Sequence, residues 1–423
     1  MVLSEFIDYA TKYKWADFVG MEDFADKLSF SISTSILLLL TLVITVKSYL
    51  LTSIACYIPI HPSGKDFDDF LKSYCWVHGT IPIKGNLPPD IESWEKMDEF
   101  NRINYYQWVP FVLALQGILF YLPRIIWQMI TYNLSGTDLE GLVEMANSAS
   151  NQTGKAKSET VDQIAMNLEN LLFSHRKINL HSKPIMSKLS TAKSWLCSDK
   201  RSGRQLAAQY MFIKVLYVIN AFGQLFLMQY FLDFGHKGTS FGYVVLKNIL
   251  EGREWNDTMI FPRVTYCYLK NIQHVAIKNN YLAQCVLPIN MLNEKIYIFL
   301  WFWTVIVVFF TFISLFQWIY RLTQSSSQVH FLKKFLRIRE QYTDEDCSVL
   351  KSFFRGFLRK DGVFILRMFS INAGDLITAD IVTGLWNIYK EKHKEENFSK
   401  SGVPGDETHY SDASTLPLKD DFI

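Results

Sequence analysis

Four stretches of this chain are apolar enough and long enough to cross a membrane, and they restrict its fold before any other feature does. A spanning helix needs about 20 consecutive apolar residues to cross a hydrocarbon core of roughly 30 Å. Residues 29–50 (SFSISTSILLLLTLVITVKSYL), 106–130, 208–232 and 296–320 (IYIFLWFWTVIVVFFTFISLFQWIY) meet that length. Lys47 sits near enough to the end of the first span to snorkel. Tyr105, Tyr106 and Trp108 open the second span, and Trp318 and Tyr320 close the fourth, where interfacial aromatic belts form. The second span also holds Pro110, Pro123 and Arg124; the third holds Asn220, Gln224 and Gln229. Composition agrees: 49% hydrophobic against 20% charged residues, with a mean hydropathy of +0.07, is high for a soluble chain of 423 residues. The lipid bilayer is thus the first expected partner. The balance of 43 basic and 41 acidic residues argues against nucleic acid as another.

The connecting segments differ in chemistry. Residues 1–28 precede the first span, 51–105 and 233–295 form two loops on one side, and 131–207 forms the loop on the other. A helical region, 321–389, and a tail, 390–423, follow the fourth span. The N-terminal stretch is charged and shows no small-residue cleavage site, so no removable signal peptide is expected. An even number of spans places both termini on one side. Lys12, Lys14, Lys27, Lys200, Arg201, Arg204, Arg321, Lys333, Lys334, Arg337 and Arg339 crowd that side, which the positive-inside rule makes cytoplasmic. Lys65, Lys96 and Arg102 on the opposite side moderate the bias.

Cysteine placement supports the same orientation. Cys56 and Cys75 lie between spans one and two, and Cys267 and Cys285 between spans three and four, where an oxidising exterior permits disulfides. Cys197 and Cys347 fall on the basic side and read as free thiols. Four cysteines allow three pairings. Nested bridges, Cys56 with Cys285 and Cys75 with Cys267, would tie the two loops together and are the expectation here; one bridge within each loop fits the spacing nearly as well.

Tyr105-Tyr106-Gln107-Trp108-Val109-Pro110 resembles the signature that opens the second span of innexins, the invertebrate gap-junction proteins. Tyr74-Cys75-Trp76-Val77, Phe261-Pro262-Arg263-Val264-Thr265 before Cys267, Cys285-Val286-Leu287-Pro288 and Asn293-Glu294-Lys295 resemble the family's outer loops. The run from Arg359 to Met368 (RKDGVFILRM) resembles its cytoplasmic helices. These matches extend from about Glu22 to Trp386. Tyr57 stands where the family usually has Trp, and Tyr268-Leu269 where it often has Asp-Phe, so the departures fall in the docking loops. The resemblance implies protomers ringed around a pore as octameric hemichannels, alone or with other innexins, each docking with a hemichannel of the apposed cell.

Candidate pore residues follow from this reading. Residues 2–18 place Leu3, Phe6, Ile7, Ala10 and Tyr13 on one helical face, away from Glu5 and Asp8. On its own the pattern fits a helix lying on the membrane surface. The resemblance implies instead a pore funnel, with Val2 lining it and Glu5 and Asp8 forming acidic rings. In span one, Ser31 and Ser35 share a face, as do Thr41 and Thr45; they either line a channel wall or bond to their own backbone. Asn220 and Gln224 read as interhelical glue. Pro110, near its span's start, reads as a packing feature rather than a gating hinge. Asp66, Asp68 and Asp69 read as a solvated loop face, without the ligand spacing of a calcium loop. Asn256-Asp257-Thr258 is a glycosylation sequon; a glycan there would obstruct docking, as in the related pannexins. Asn133, Asn151 and Asn397 sit in sequons on the cytoplasmic side, where they should stay bare.

No GxxxxGK[ST], HExxH or GxSxG occurs, and the nine histidines show no metal-ligand spacing, so neither enzyme, cofactor nor metal is expected. Asp420-Asp421-Phe422-Ile423 offers a terminal hydrophobic carboxylate that a PDZ-type partner could take, and the tail from about Lys390 is expected to be disordered. The sequence therefore predicts an all-α membrane protein. It would have four transmembrane helices, a cytoplasmic helical dome and two disulfide-linked extracellular loops, forming channels between touching cells. Undocked hemichannels and a non-conducting four-span adhesion protein are the rival readings.

Overall fold

The computed structural model describes residues 22–58, 64–83, 91–135, 139–177, 203–232, 241–251, 260–274, 277–343 and 346–400. Val2, Glu5, Asp8, Cys197, Asn256 and the C-terminal four residues lie outside the described residues. In chain order the helices are α1 (Phe24–Leu50), α2 (Lys65–His78), α3 (Ile91–Phe100), α4 (Val109–Ser135), α5 (Leu139–Ser150), α6 (Gly154–Lys177), α7 (Gln205–Leu232) and α8 (Phe241–Glu251). After the strands come α9 (Pro288–Thr323), α10 (Ser325–Ile338), α11 (Cys347–Ser352), α12 (Arg359–Asn372) and α13 (Asp375–Lys400).

The spans are α1, α4, α7 and α9. A reciprocal capping box starts α1: Asp26 N donates to Asp23 Oδ1 at 3.0 Å and Asp23 N to Asp26 Oδ2 at 3.4 Å. The helix then widens into π turns at Leu28–Ser33 and Val46–Leu50. Pro110 falls in the first turn of α4, where its missing N–H is one the helix would not use, so it needs no kink. Pro123 is the proline inside that helix. At 36 residues α9 is about 54 Å long and overshoots the hydrocarbon core. Within the bundle α7 packs on α9 and α4, and α4 on α1. Leu38, Leu39 and Leu42 of α1 and Phe309 and Phe316 of α9 face outward, as lipid-facing surfaces do.

The loops joining spans one to two and three to four, here the outer loops, add an element that the sequence reading lacked. β1 (Ala55–Tyr57), β2 (Val264–His274) and β3 (Ile277–Val286) form an antiparallel sheet in the order β1-β3-β2. Thr265, Cys267 and Leu269 on β2, and Ala283 and Cys285 on β3, are buried on one face, while Tyr268 on the other packs with Ile81 and Trp94. The first loop thus contributes an edge strand to a hairpin of the second.

At the other end, α5, α6 and α10–α13 pack into a helical dome around Leu142, Leu168, Phe353, Phe364 and Trp386. Helix α13 continues to Lys400, past the expected onset of disorder near Lys390. Lys390 lies 4.9 Å over the Trp386 ring and 3.8 Å from Asp346, and Lys392 pairs with Glu169, so charge anchors this extension to the dome.

Candidate functional site

Two bridges and one short segment bind the outer loops into a unit. Cys56 and Cys285 are directly opposite in the β1–β3 register and are bonded. Cys75 of α2 bonds Cys267 of β2, clamping the helix onto the sheet. The nested pairing is therefore the one adopted. Cys347 is a free, exposed thiol. Three of these sulfurs, of Cys56, Cys75 and Cys285, lie within 4.8 Å of one another; disulfide sulfurs are not thiolates, and the cluster is no metal centre. Asp66, Asp68 and Asp69 are exposed on the first turns of α2.

The signature segment sits where this unit meets the bundle. Tyr105 Oη donates to the carbonyl of Ile260 at 3.1 Å. Tyr106 is fully buried with its ring 4.8 Å from that of Trp76. Gln107 Nε2 donates to the carbonyls of Trp76 and Val77. Val109 is buried, while Trp108 is 59% exposed beside Phe111, as an interfacial ring would be. Behind it, Asn290 Nδ2 donates to the carbonyl of Pro262 at 2.9 Å, and Arg263 pairs with buried Glu294 at 3.2 Å. These residues thus join both outer loops to the starts of spans two and four.

At the dome end of the bundle lies a charged cluster that sequence reasoning missed. Lys214 of α7 is fully buried, with Nζ 2.6 Å from Asp23 Oδ2, 2.8 Å from Asp26 Oδ1 and 2.9 Å from Ser314 Oγ. Asp23 Oδ2 also accepts from Ser314 Oγ at 2.6 Å and Trp318 Nε1 at 2.8 Å, and Asp26 Oδ2 accepts from Tyr210 Oη at 2.9 Å. Beside them Glu22 lies 3.7 Å from Arg124 Nε of α4, whose guanidinium covers the Phe30 ring at 4.2 Å. All four spans contribute. An ionisable residue inside a span is expensive and marks a partner or a function. Lys214 in an apolar run, with three acids before span one, was the available signal.

The dome is seated on the same end. Asp361 of α12 accepts from Gln205 N at 3.1 Å and Ala207 N at 3.0 Å, capping α7, while its own N–H donates to Gly203 O at 3.1 Å. Gly203 holds a positive φ of 56° with the Arg359 side chain lying against it, so a Cβ has no room there. Burial pushes the Asp361 carboxyl upward; backbone N–H groups of residues 205–207 and the Arg359 charge pull it back.

The hydroxyls of span one donate to their own helix: Ser35 to Ser31 O, Thr41 to Leu37 O and Thr45 to Thr41 O, each at 2.7 Å. All four side chains stay half-buried. Gln224 is buried and donates to Asn220 Oδ1 at 3.4 Å and Gln116 O at 3.5 Å, bridging α7 to α4 as an interhelical tie.

This architecture defines a polytopic membrane protein whose outer loops form one disulfide-tied platform and whose inner end carries a helical dome. Residues 22–389 match the family model Innexin. The chain is 35% identical to Innexin unc-9 of Caenorhabditis elegans, covering 90% of this chain and 95% of that one. It is 32% identical to Innexin-19 of Caenorhabditis briggsae (89% and 88%) and 30% identical to Innexin-3 of Caenorhabditis elegans (94% and 92%). The chain belongs to the innexin family, the invertebrate gap-junction channel proteins. It is accordingly a multi-pass plasma-membrane protein of gap junctions that assembles with other innexins into oligomeric channels.

Proposed function

We propose that this chain forms intercellular channels by docking two oligomeric rings through their outer sheets, with both termini in the cytoplasm. The observation that carries this reading is the fusion of both outer loops into one sheet, stapled at Cys56–Cys285 and Cys75–Cys267. A rigid platform presents a fixed surface to a partner with little ordering cost. The octameric ring and the acidic funnel of Glu5 and Asp8 come from the family resemblance, with Ser31, Ser35, Thr41 and Thr45 offering half-buried hydroxyl oxygens along span one. A PDZ-type partner would take the terminal Phe422-Ile423 carboxylate.

Dual voltage clamp on paired cells expressing only this chain tests the proposal, with single expressing cells recorded alongside. Junctional current in the pairs is the expected result. Silence in both settings, with the protein at the surface, would refute homotypic docking. The Asn256 sequon supports a second reading, an undocked hemichannel. In that case single cells carry the current, and Asn256→Gln removes a glycan-dependent gel shift and allows pairs to couple.

A further inference from the structure

We propose that Lys214 is the positioning residue for the start of the first span: by clamping Asp23 and Asp26 it fixes the direction of the chain at Glu22, which residues 1–21 precede. Its three Nζ contacts, at 2.6, 2.8 and 2.9 Å, join the start of α1 to α7 and, through Ser314, to α9. Apolar contact at this turn is limited: Ala25 is buried and the Phe24 ring meets that of Phe310 edge-on at 6.0 Å, but Phe24, between the two acids, is 65% exposed. Polar partners surround the three acids: Ser314 and Trp318 on Asp23, Tyr210 on Asp26, and Arg124 beside Glu22. Lys27 adds a tie to the dome, donating to Asn372 Oδ1 at 3.2 Å.

The choice of charge is informative. A buried ion cluster is commonly no more stabilising than apolar residues of equal volume, whereas losing one partner strands the others. Engaged as here, the cluster sets one direction for the chain at Glu22. This inference rests on the proposed channel for its electrical readout but not for its chemical one.

The test replaces Cys197 with Ser, keeps Cys347, and places a single thiol by Glu5→Cys. Modification of both thiols by a charged methanethiosulfonate is followed by mass spectrometry in opened microsomes. Lys214→Met alone strands two carboxylates and need not fold. The combined variant D23N/D26N/K214M leaves no stranded charge. With the clamp removed, the modification rate at position 5 should change at least tenfold while that at Cys347 stays constant. In paired cells the midpoint of the conductance–voltage relation should shift with it. An unchanged rate at position 5 overturns the proposal. Equal changes at both thiols also overturn it, since they report general loosening rather than release of one segment. If the parent chain carries no current, the labelling result still decides on Lys214, and the channel reading fails separately.

Discussion

Removal of the Asp361 side chain should loosen the start of the third span without unfolding the protein. Its carboxylate accepts from Gln205 N and Ala207 N at 3.1 and 3.0 Å, N–H groups that the start of a helix leaves without an intrahelical acceptor. Asp361→Ala leaves two N–H groups seeking partners. A buried donor without an acceptor costs about 1–3 kcal/mol, and the half-buried position lets water recover part of that. We expect a local loss of about 2 kcal/mol, or about a thirtyfold fall in amide protection at residues 205–207. Asp361→Asn retains an acceptor and sheds a charge whose burial is already unfavourable, so its loss should be about 1 kcal/mol or less. Hydrogen exchange with mass spectrometry, in detergent, reads both variants on peptides spanning 203–210. The reasoning is refuted if alanine leaves protection within threefold of the parent chain, or if asparagine is as damaging as alanine.

Other expectations are as direct. Tyr105→Phe deletes the bond to Ile260 and should cost about 1 kcal/mol, seen as faster exchange near residues 260–263 with β3 unaffected. The double substitution C75A/C267A frees a connection spanning 192 residues and should destabilise the outer unit by about 3 kcal/mol or more in the chain-entropy account. The check is denaturant unfolding followed through Trp76 and Trp94 fluorescence; a midpoint unchanged from the parent would count against it. Lys334 and Ser370 hold the Asp375 carboxyl below the ordinary carboxylate range. Its contribution is therefore complete above the unfolded value of about 3.9 and is lost as pH falls through the lower folded value. Lys334→Met should move that loss to higher pH, measured by an acid titration of exchange at the start of α13; superimposable titrations would contradict the assignment.

The spans were legible because each is a long local pattern that only a bilayer-crossing helix satisfies. That the loops carry disulfides was legible from topology, since cysteines in two loops on one side can meet; the nested pairing was the expectation, though spacing left one bridge within each loop nearly as good. The sheet was not. The run VTYCYLKNIQH alternates correctly at Thr265, Cys267 and Leu269, but then carries Lys270 and Asn271 and a register shift, so the strand signal fades midway. Long-range polar contacts left still less trace. Lys214 and Asp26 lie 188 residues apart, and Asp361 caps a helix 156 residues before it. In sequence, Lys214 is one charge in an apolar run and Asp361 one acid among basic neighbours. Pairing them requires knowing which helix ends meet. Ser35, Thr41 and Thr45 show the reverse case: the spacing that suggested a common polar face also lets each hydroxyl reach a carbonyl four residues back.

Biosynthesis sets the outer sheet a problem of timing. Cys56 and Cys75 are made together in the first outer loop, and their partners follow only after the third span, so the earliest bridge available is the wrong one, Cys56 to Cys75. The finished geometry contains the remedy. Because the sulfurs of Cys56, Cys75 and Cys285 lie within 4.8 Å of one another, a Cys285 thiolate delivered by β3 is in range of a Cys56–Cys75 bridge. Attack at the Cys56 sulfur of such a bridge would form the Cys56–Cys285 bond and expel Cys75 as a thiolate, with no net change in oxidation. An oxidant then need only join Cys75 to Cys267. Strand register, by setting Cys285 directly opposite Cys56, thereby favours Cys285 over the neighbouring Cys75 as the partner of Cys56.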